Sequence, residues 1–468
     1  MKKNFILIML LCLGQSAISQ PHPQSKEYSS PENKLVQEKL EDWKKKKFGL
    51  LMHWGPYSQW GIEASWSLCP EDDEYTARKG PFSKSYSGYV KAYEDLQTQF
   101  NPVNFNPEKW SAAAKDAGMK YVVFTTKHHD GFAMFDTKET DYKITSAKSP
   151  FSSNPRSNIT KEVFSAFRND GFMIGAYFSK PDWHSEHFWW PYLPARNRDV
   201  NYKIAQHPEK WNAFKKFTYN QIEELMTDYG KVDILWFDGG WVRPEPTGKN
   251  NQDLNMSAIA AMARKKQPGI LIVDRTVPGE FENYQTPEQT VPDKPLDQPW
   301  ESCITMGNSW GYVKDDTYKP AHELIHTLIK IVSRNGNFLL NIGPSPLGEL
   351  PPEALSRLKE IGSWMNVYGT AIYESTALAP YESKGIVYTQ SADKKVKYVF
   401  LLSDGDNRVM LSKTLSLATG VISKNSKISI MGSTIKLKHN AETNQITIPE
   451  SAQKNVFNKY AVVLKIVG

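Results

Sequence analysis

The sequence predicts a (β/α)8-like TIM barrel followed by a small all-β sandwich domain. Three observations predict it. Short, almost wholly apolar runs alternate with longer amphipathic stretches from Lys47 to Tyr373, and glycines stand where several of those stretches end. Beyond Tyr373 the texture changes to short alternating runs separated by turn residues. Parallel strands buried on both faces read as continuous apolar segments, and each return crossover needs a helix-length stretch.

The strand-like runs are Phe48–Trp54, Lys120–Thr126, Met173–Ser179, Val232–Asp238, Ile270–Arg275 and Asn337–Ile342. Between them lie the helical patterns Pro107–Ala117, Lys161–Asn169, Lys210–Tyr229, Leu254–Lys266 and Ala321–Arg334, with stop glycines at Gly118, Gly171, Gly230 and Gly336. Repeated β-then-α units argue for a barrel over residues 21–374. An open doubly wound sheet is the alternative, but no Gly-rich phosphate fingerprint opens the first unit. Residues 375–468 carry the runs Gly385–Thr389, Lys397–Leu402, Lys427–Met431, Thr434–Lys438 and Tyr460–Ile466, with the turn Asp404-Gly405-Asp406-Asn407. They read as a β-sandwich that packs against or caps the barrel.

At the start, Lys2 and Lys3 precede the apolar run Phe5–Leu13, and Ala17 and Ser19 are the small residues of a cleavage site. Residues 1–20 therefore read as a signal peptide, too short to span a bilayer, and predict export to the periplasm or medium if the source is bacterial. Cys12 lies inside the apolar run without a small residue before it, unlike a lipoprotein signal. No later segment is long and apolar enough for a membrane span. Cys69 and Cys303 remain after cleavage; two thiols can pair, but spacing alone does not establish proximity.

The 468 residues are 40% hydrophobic and 23% charged, which excludes a disordered chain. A net charge of +6 without a long Lys/Arg block argues against nucleic-acid binding. Aromatic residues reach 12%, with 14 Trp and 22 Tyr, and flat aromatic faces suit the C–H faces of sugar rings. Nothing in the sequence calls for a cofactor or sets an oligomeric state.

In a barrel the site is built where the strands end. Here the tips carry His53 with Trp54, then His128-His129-Asp130, Tyr177, Asp238 and Arg275, groups able to grip a polyhydroxylated ligand. Asp238 closes the run Asp233-Ile234-Leu235-Trp236-Phe237, and the following Gly239 and Gly240 would let substrate approach the backbone. Glycoside hydrolysis needs a second carboxyl group. The next loop offers Glu280, Glu282, Glu288 and Glu301; the first two read as solvated charges. Glu288 and Glu301 have rigid or aromatic neighbours that can raise a carboxyl pKa towards neutrality.

The segments Lys47–Gly55, Thr126–Phe132, Trp236–Gly239 and Gly336–Pro344, the last reading Gly-Asn-Phe-Leu-Leu-Asn-Ile-Gly-Pro, resemble glycoside hydrolase family 29, the α-L-fucosidases. They occur in the family order along nearly all of the mature chain. The resemblance implies a barrel followed by a β-sandwich, no metal or cofactor, and a retaining double displacement on terminal α-L-fucose of a fucosylated oligosaccharide or glycoconjugate. It implies Asp238 as nucleophile and Glu288 as acid/base, with Glu301 as the alternative from the family branch selective for branched fucosides. It further implies sugar contacts from His53, His128, His129, Tyr177 and Arg275, and pocket walls from Trp66 and Trp310. The two carboxyl groups of a retaining enzyme stand roughly 5–5.5 Å apart.

The stretch Ala64–Tyr86, containing Cys69-Pro70-Glu71-Asp72-Asp73-Glu74, departs from the family pattern at a position that shapes the pocket rim. α-L-Galactose, which differs from α-L-fucose by a hydroxyl on C6, therefore stays open as a substrate. Two other readings also stand at this stage. One is a metal-dependent hydrolase using His53, His128, His129 and Asp238; the other is a fucose-binding protein without turnover.

Overall fold

The computed structural model describes residues 28–71, 76–78, 82–245, 251–405, 408–456 and 458–468. The signal peptide read at residues 1–20, with Cys12, lies outside them, as do Asp72, Asp73, Glu74, Asp406 and Asn407.

The barrel unit runs α1 (Lys34–Lys46), β1 (Phe48–Met52), α2 (Tyr86–Glu94), α3 (Pro107–Asp116), β2 (Tyr121–Lys127), α4 (Ile159–Asn169), β3 (Met173–Ser179), α5 (Pro208–Asp228) and β4 (Ile234–Asp238). It continues with α6 (Met256–Lys266), β5 (Leu271–Asp274), β6 (Glu301–Thr305), α7 (Ala321–Ser333), β7 (Asn337–Ile342) and α8 (Pro352–Tyr368). The strands form one curled parallel sheet in the order β5-β4-β3-β2-β1-β7-β6. Alternate side chains divide between two cores, as a period of two requires. On β4, Leu235 and Phe237 pack outward under the helices, whereas Ile234 and Trp236 fill the barrel.

The eighth stave is not a regular strand. Residues 281–289 close the gap between β5 and β6, with Glu282 bridging Val273 antiparallel and Gln285 and Glu288 bridging Trp300 and Cys303 parallel. Hydrogen bonds from Asn283 N to Ile272 O, from Glu301 N to Gln285 O and from Cys303 N to Pro287 O hold it at 2.8–3.1 Å. Register against β6 thus sets the height of Glu288 in the barrel wall.

Helix α1 closes the opposite end. Asn33 caps it, and its buried face of Val36, Leu40 and Trp43 joins the barrel interior. Trp43 stacks on Tyr284 with ring centres 3.9 Å apart, and its carbonyl accepts from Asn337 Nδ2 at 2.8 Å. The buried apolar positions of α1 are few, Val36, Leu40 and Trp43 in a lysine-rich segment, and no element is expected there from the sequence.

Of the four stop glycines, Gly118, Gly171 and Gly230 adopt positive φ, but at the end of α7 Asn335 takes the left-handed position instead, at φ 64°. Gly336 is required for another reason: a Cβ there would meet the Trp300 ring at 2.4 Å.

The second unit holds β8 (Ser375–Ser383), β9 (Ile386–Ser391), β10 (Val396–Leu402), β11 (Thr414–Ser416), β12 (Lys427–Ile430), β13 (Lys436–Asn440), β14 (Gln445–Thr447), α9 (Glu450–Asn455) and β15 (Ala461–Val467). Its strands pair antiparallel in the order β11-β14-β13-β12-β15-β10-β9-β8. Tyr388, Val399, Ile428, Ile446 and Leu464 share a second apolar core. It docks on the barrel through Trp364, whose Nε1 donates to the Ala461 carbonyl at 3.1 Å. No helix among the described residues is long and apolar enough to cross a membrane.

If α1 plugs the barrel, Trp43→Ala should lower the unfolding free energy by about 3–5 kcal/mol. Denaturant unfolding followed by circular dichroism measures this, and a loss below about 1 kcal/mol would contradict the plug.

Candidate active site

The carboxylate pair is assembled around one guanidinium. Asp238 ends β4, and its Oδ2 accepts from the Tyr177 hydroxyl at 2.6 Å. Its Oδ1 accepts from Gly239 N at 2.8 Å and from Arg275 Nη1 at 3.3 Å. Arg275, the residue after β5, turns its Nη2 onto Glu288 Oε2. Glu288 is carried there by the irregular stave. The two acids stand on staves either side of β5, with the buried Arg275 guanidinium between them.

The predicted sugar contacts gather around this pair. The His53 ring lies 5.4 Å from His128, 5.2 Å from Tyr177 and 5.1 Å from Trp310, and the Trp66 ring lies 5.0 Å from His129. His129 Nε2 is 3.8 Å from Asp238 Oδ2. Below them the floor is aromatic: Tyr177 stacks on Trp236 at 5.3 Å, and Arg275 lies over the same indole at 5.4 Å.

Burial pushes the Asp238 carboxyl pKa upward, but the charge of Arg275, the neighbouring His129 and the hydrogen bonds from Tyr177 and Gly239 outweigh it. They hold Asp238 well below the usual carboxylate range, so it is ionised. Burial lowers His53 to about 4 against the opposing pull of Asn341 and Asp238. It lowers His129 to about 4 against Asp238, and it also lowers His128, next to the other two imidazoles. Near neutral pH the site thus pairs uncharged imidazoles with an anion. Donor atoms of His128, His129 and Asp238 lie within 4.8 Å of one another, a set that suits a cation or sugar hydroxyls. Here Arg275 already brings positive charge to Asp238, which is the electrostatic work a metal would do.

Glu301, the alternative acid, is not brought to the pair. It opens β6 at the far end of the strand, fully buried, accepting from Tyr121 Oη at 2.6 Å and from Trp236 Nε1 at 3.2 Å. Burial raises its pKa to about 7, but its place is in the barrel interior, in contact with the indole that floors the site. The expectation for the glycines also changes. A Cβ on Gly239 would meet Pro181 Cδ at 2.3 Å, and one on Gly240 would meet Thr276 Oγ1 at 1.7 Å, so both make room for neighbouring loops rather than for substrate. Cys69 and Cys303 are buried free thiols and do not pair.

The departing stretch Ala64–Tyr86, with Glu63 just before it, forms part of the rim. Glu63 Oε1 accepts from Trp310 N at 2.9 Å, and Ser65 Oγ meets His128 Nδ1 at 2.5 Å. Glu71 accepts from Arg198 Nε with both oxygens at 3.0 Å. Arg198 in turn lies 5.2 Å from the Trp66 ring centre and 5.3 Å from that of Trp241. Sequence reasoning missed Glu63, Ser65, Trp241, Ser179 and Asn341. Ser179 ends β3 and Asn341 is the penultimate residue of β7, so the strand-tip rule reaches them as well as Asp238.

Comparison with known proteins gives the family. The family profile described as Alpha-L-fucosidase matches residues 15–370. The chain is similar to the tissue alpha-L-fucosidase of Mus musculus, 30% identical over 76% of each chain. It is similar to that of Homo sapiens, 26% identical over 99% of this chain and 97% of the relative. Among solved structures, alpha-L-fucosidase isoenzyme 1 from Paenibacillus thiaminolyticus superposes with a TM-score of 0.74 at 28% identity, covering 92% of this chain and 99% of that one. The profile match over most of the chain and the 30%-identical relative assign the chain to the alpha-L-fucosidase family, glycoside hydrolase family 29.

Proposed function

We propose that this protein is a retaining exo-glycosidase that removes terminal α-L-fucosyl residues from glycans, with Asp238 as nucleophile and Glu288 as acid/base. The observation that carries the reading is the placement of these two carboxylates on either side of the Arg275 guanidinium, at the open end of the barrel. In the first step Glu288 gives its proton to the glycosidic oxygen, the C1–O bond breaks, and Asp238 bonds to C1. In the second, Glu288 takes a proton from water as that water attacks C1, and Asp238 leaves as a carboxylate. The ionised state of Asp238 suits the attack. In the free protein Arg275 balances both acids, one on each terminal nitrogen.

His53, His128, His129, Tyr177 and Arg275 bind the fucose hydroxyls in this account, and Trp66 and Trp310 line the sugar's apolar parts. The substrates are fucosylated oligosaccharides or glycoconjugates. Export guided by residues 1–20 puts the enzyme where such glycans lie outside the cytoplasm, a reading that rests on the charged and apolar order of that segment.

Wild-type protein is expected to release the phenol from an aryl α-L-fucoside. Glu288→Ala should cut the rate at least roughly 100-fold, and azide should restore it by attacking the glycosyl-enzyme without needing a base. Rescue in Glu301→Ala and none in Glu288→Ala would reverse the assignment. The pH dependence has a defined sign: protonation would convert the imidazoles from hydrogen-bond acceptors to cations. Because His53 and His129 are lowered to about 4, kcat/KM should hold through pH 6 and fall as pH drops through about 4. An acid limb near the ordinary histidine value of about 6.5 would contradict this.

A further inference from the structure

Ser179 and Asn341 play no direct part in the chemistry above, yet each belongs to a hydrogen-bond chain that admits one arrangement of protons. Ser179 Oγ lies 2.6 Å from the Pro181 carbonyl oxygen and 2.7 Å from His129 Nδ1. A carbonyl only accepts, so the single hydroxyl proton goes to Pro181 and Oγ offers a lone pair to the imidazole. His129 Nδ1 must then carry the hydrogen of the neutral ring. Its Nε2 is left bare, and that atom is buried without a hydrogen-bond partner, beside Asp238.

The same logic holds across the pocket. Asn341 Nδ2 lies 2.8 Å from the Trp310 carbonyl oxygen, which fixes the orientation of the amide. Its Oδ1 then faces His53 Nδ1 at 2.8 Å and can only accept. His53 Nδ1 is therefore the protonated nitrogen, and its Nε2, on the other side of the ring, is an acceptor.

We propose that Ser179 and Asn341 are positioning residues that lock His129 and His53 as Nδ1–H tautomers, so that each presents an Nε2 lone pair to a sugar hydroxyl and cannot donate to it. The inference rests on the fucosidase reading and adds to it the polarity of recognition. A hydroxyl between His129 Nε2 and Asp238 Oδ2 meets two acceptors and must enter as a donor. A ligand carrying fluorine or a methoxy group at that position has no proton to give and loses this contact, so it binds more weakly without being excluded. The low pKa values of both imidazoles are consistent with neutral rings that await a donor. The arrangement also explains why a serine buried at the tip of β3 and an asparagine buried in β7 are not apolar like their strand neighbours.

The test uses the full chain labelled with 15N-histidine and long-range 1H–15N correlation spectra near pH 7. Wild-type protein should show His53 and His129 with protonated Nδ1 and bare Nε2. Ser179→Ala should release His129 from that form and lower kcat/KM for an aryl α-L-fucoside roughly 10- to 100-fold. Ser179→Thr, which keeps the hydroxyl, should recover both readouts. A protonated Nε2 on either ring in the wild type overturns the proposal even if no variant folds. So does a Ser179→Ala protein whose spectrum and kcat/KM are unchanged. Locked tautomers in a protein that leaves the aryl fucoside intact would support the positioning role and sink the fucosidase reading, so the two failures are distinguishable.

Discussion

The site depends on one buried cation. Arg275 sits at the mouth of the barrel with Asp238 on one terminal nitrogen and Glu288 on the other. Two carboxylates brought this close in a water-poor cavity would otherwise force one of them to protonate. The guanidinium removes that conflict because its two ends are planar, parallel and permanently charged. A charge in this position needs support, and the barrel supplies it beneath, where the Trp236 indole carries the guanidinium on its face. Trp236 is itself pinned through its Nε1 by Glu301. The buried acid that resembles a second catalytic candidate in the sequence thus serves the site by holding its floor.

That distinction shows where sequence reasoning stops. Asp238, Arg275 and the paired histidines were legible because each ends or directly follows an apolar run, and the C-terminal ends of parallel barrel strands form the mouth; Tyr177 lies two residues inside the end of β3. Glu288 and Glu301 are both acidic residues near tryptophan or proline, and local context does not separate them. Their difference is one of height along the barrel wall. Cys303 is paired with Glu288 and stands two residues beyond Glu301 on β6, so the register of the stave decides which acid reaches the mouth. The stave has no regular strand pattern, being built from Phe281-Glu282-Asn283-Tyr284-Gln285-Thr286-Pro287-Glu288-Gln289, and its pairing becomes visible only in three dimensions. Short β6, which begins with a buried glutamate, escaped notice for a related reason: its polar start breaks the apolar run by which the other strands were found.

The rim follows a different logic. Loops after β1 and β3 meet over the pocket, and charge rather than apolar pattern joins them. Glu71 and Arg198 link the two loops; the guanidinium lies near both the Trp66 and Trp241 rings, and Trp241 meets His129 edge-on. The stretch that departs from the family pattern therefore both orients Trp66 and, through Ser65, contacts His128. Trp66 is thus held by an ionic partner and Trp310 by a hydrogen bond from its backbone N–H to Glu63.

The central claim is that Asp238, kept ionised by Arg275 and Tyr177, forms the covalent bond to the sugar. Its most direct measurement is to treat the wild-type protein with a 2-deoxy-2-fluoro-fucosyl fluoride, digest it, and map the adduct by mass spectrometry. The 2-fluorine slows both formation and hydrolysis of the glycosyl-enzyme, while the fluoride leaving group speeds only its formation, so the intermediate accumulates. A single fucosyl label on Asp238 is the predicted result; a label on Glu288, Glu301 or any other side chain would contradict the account.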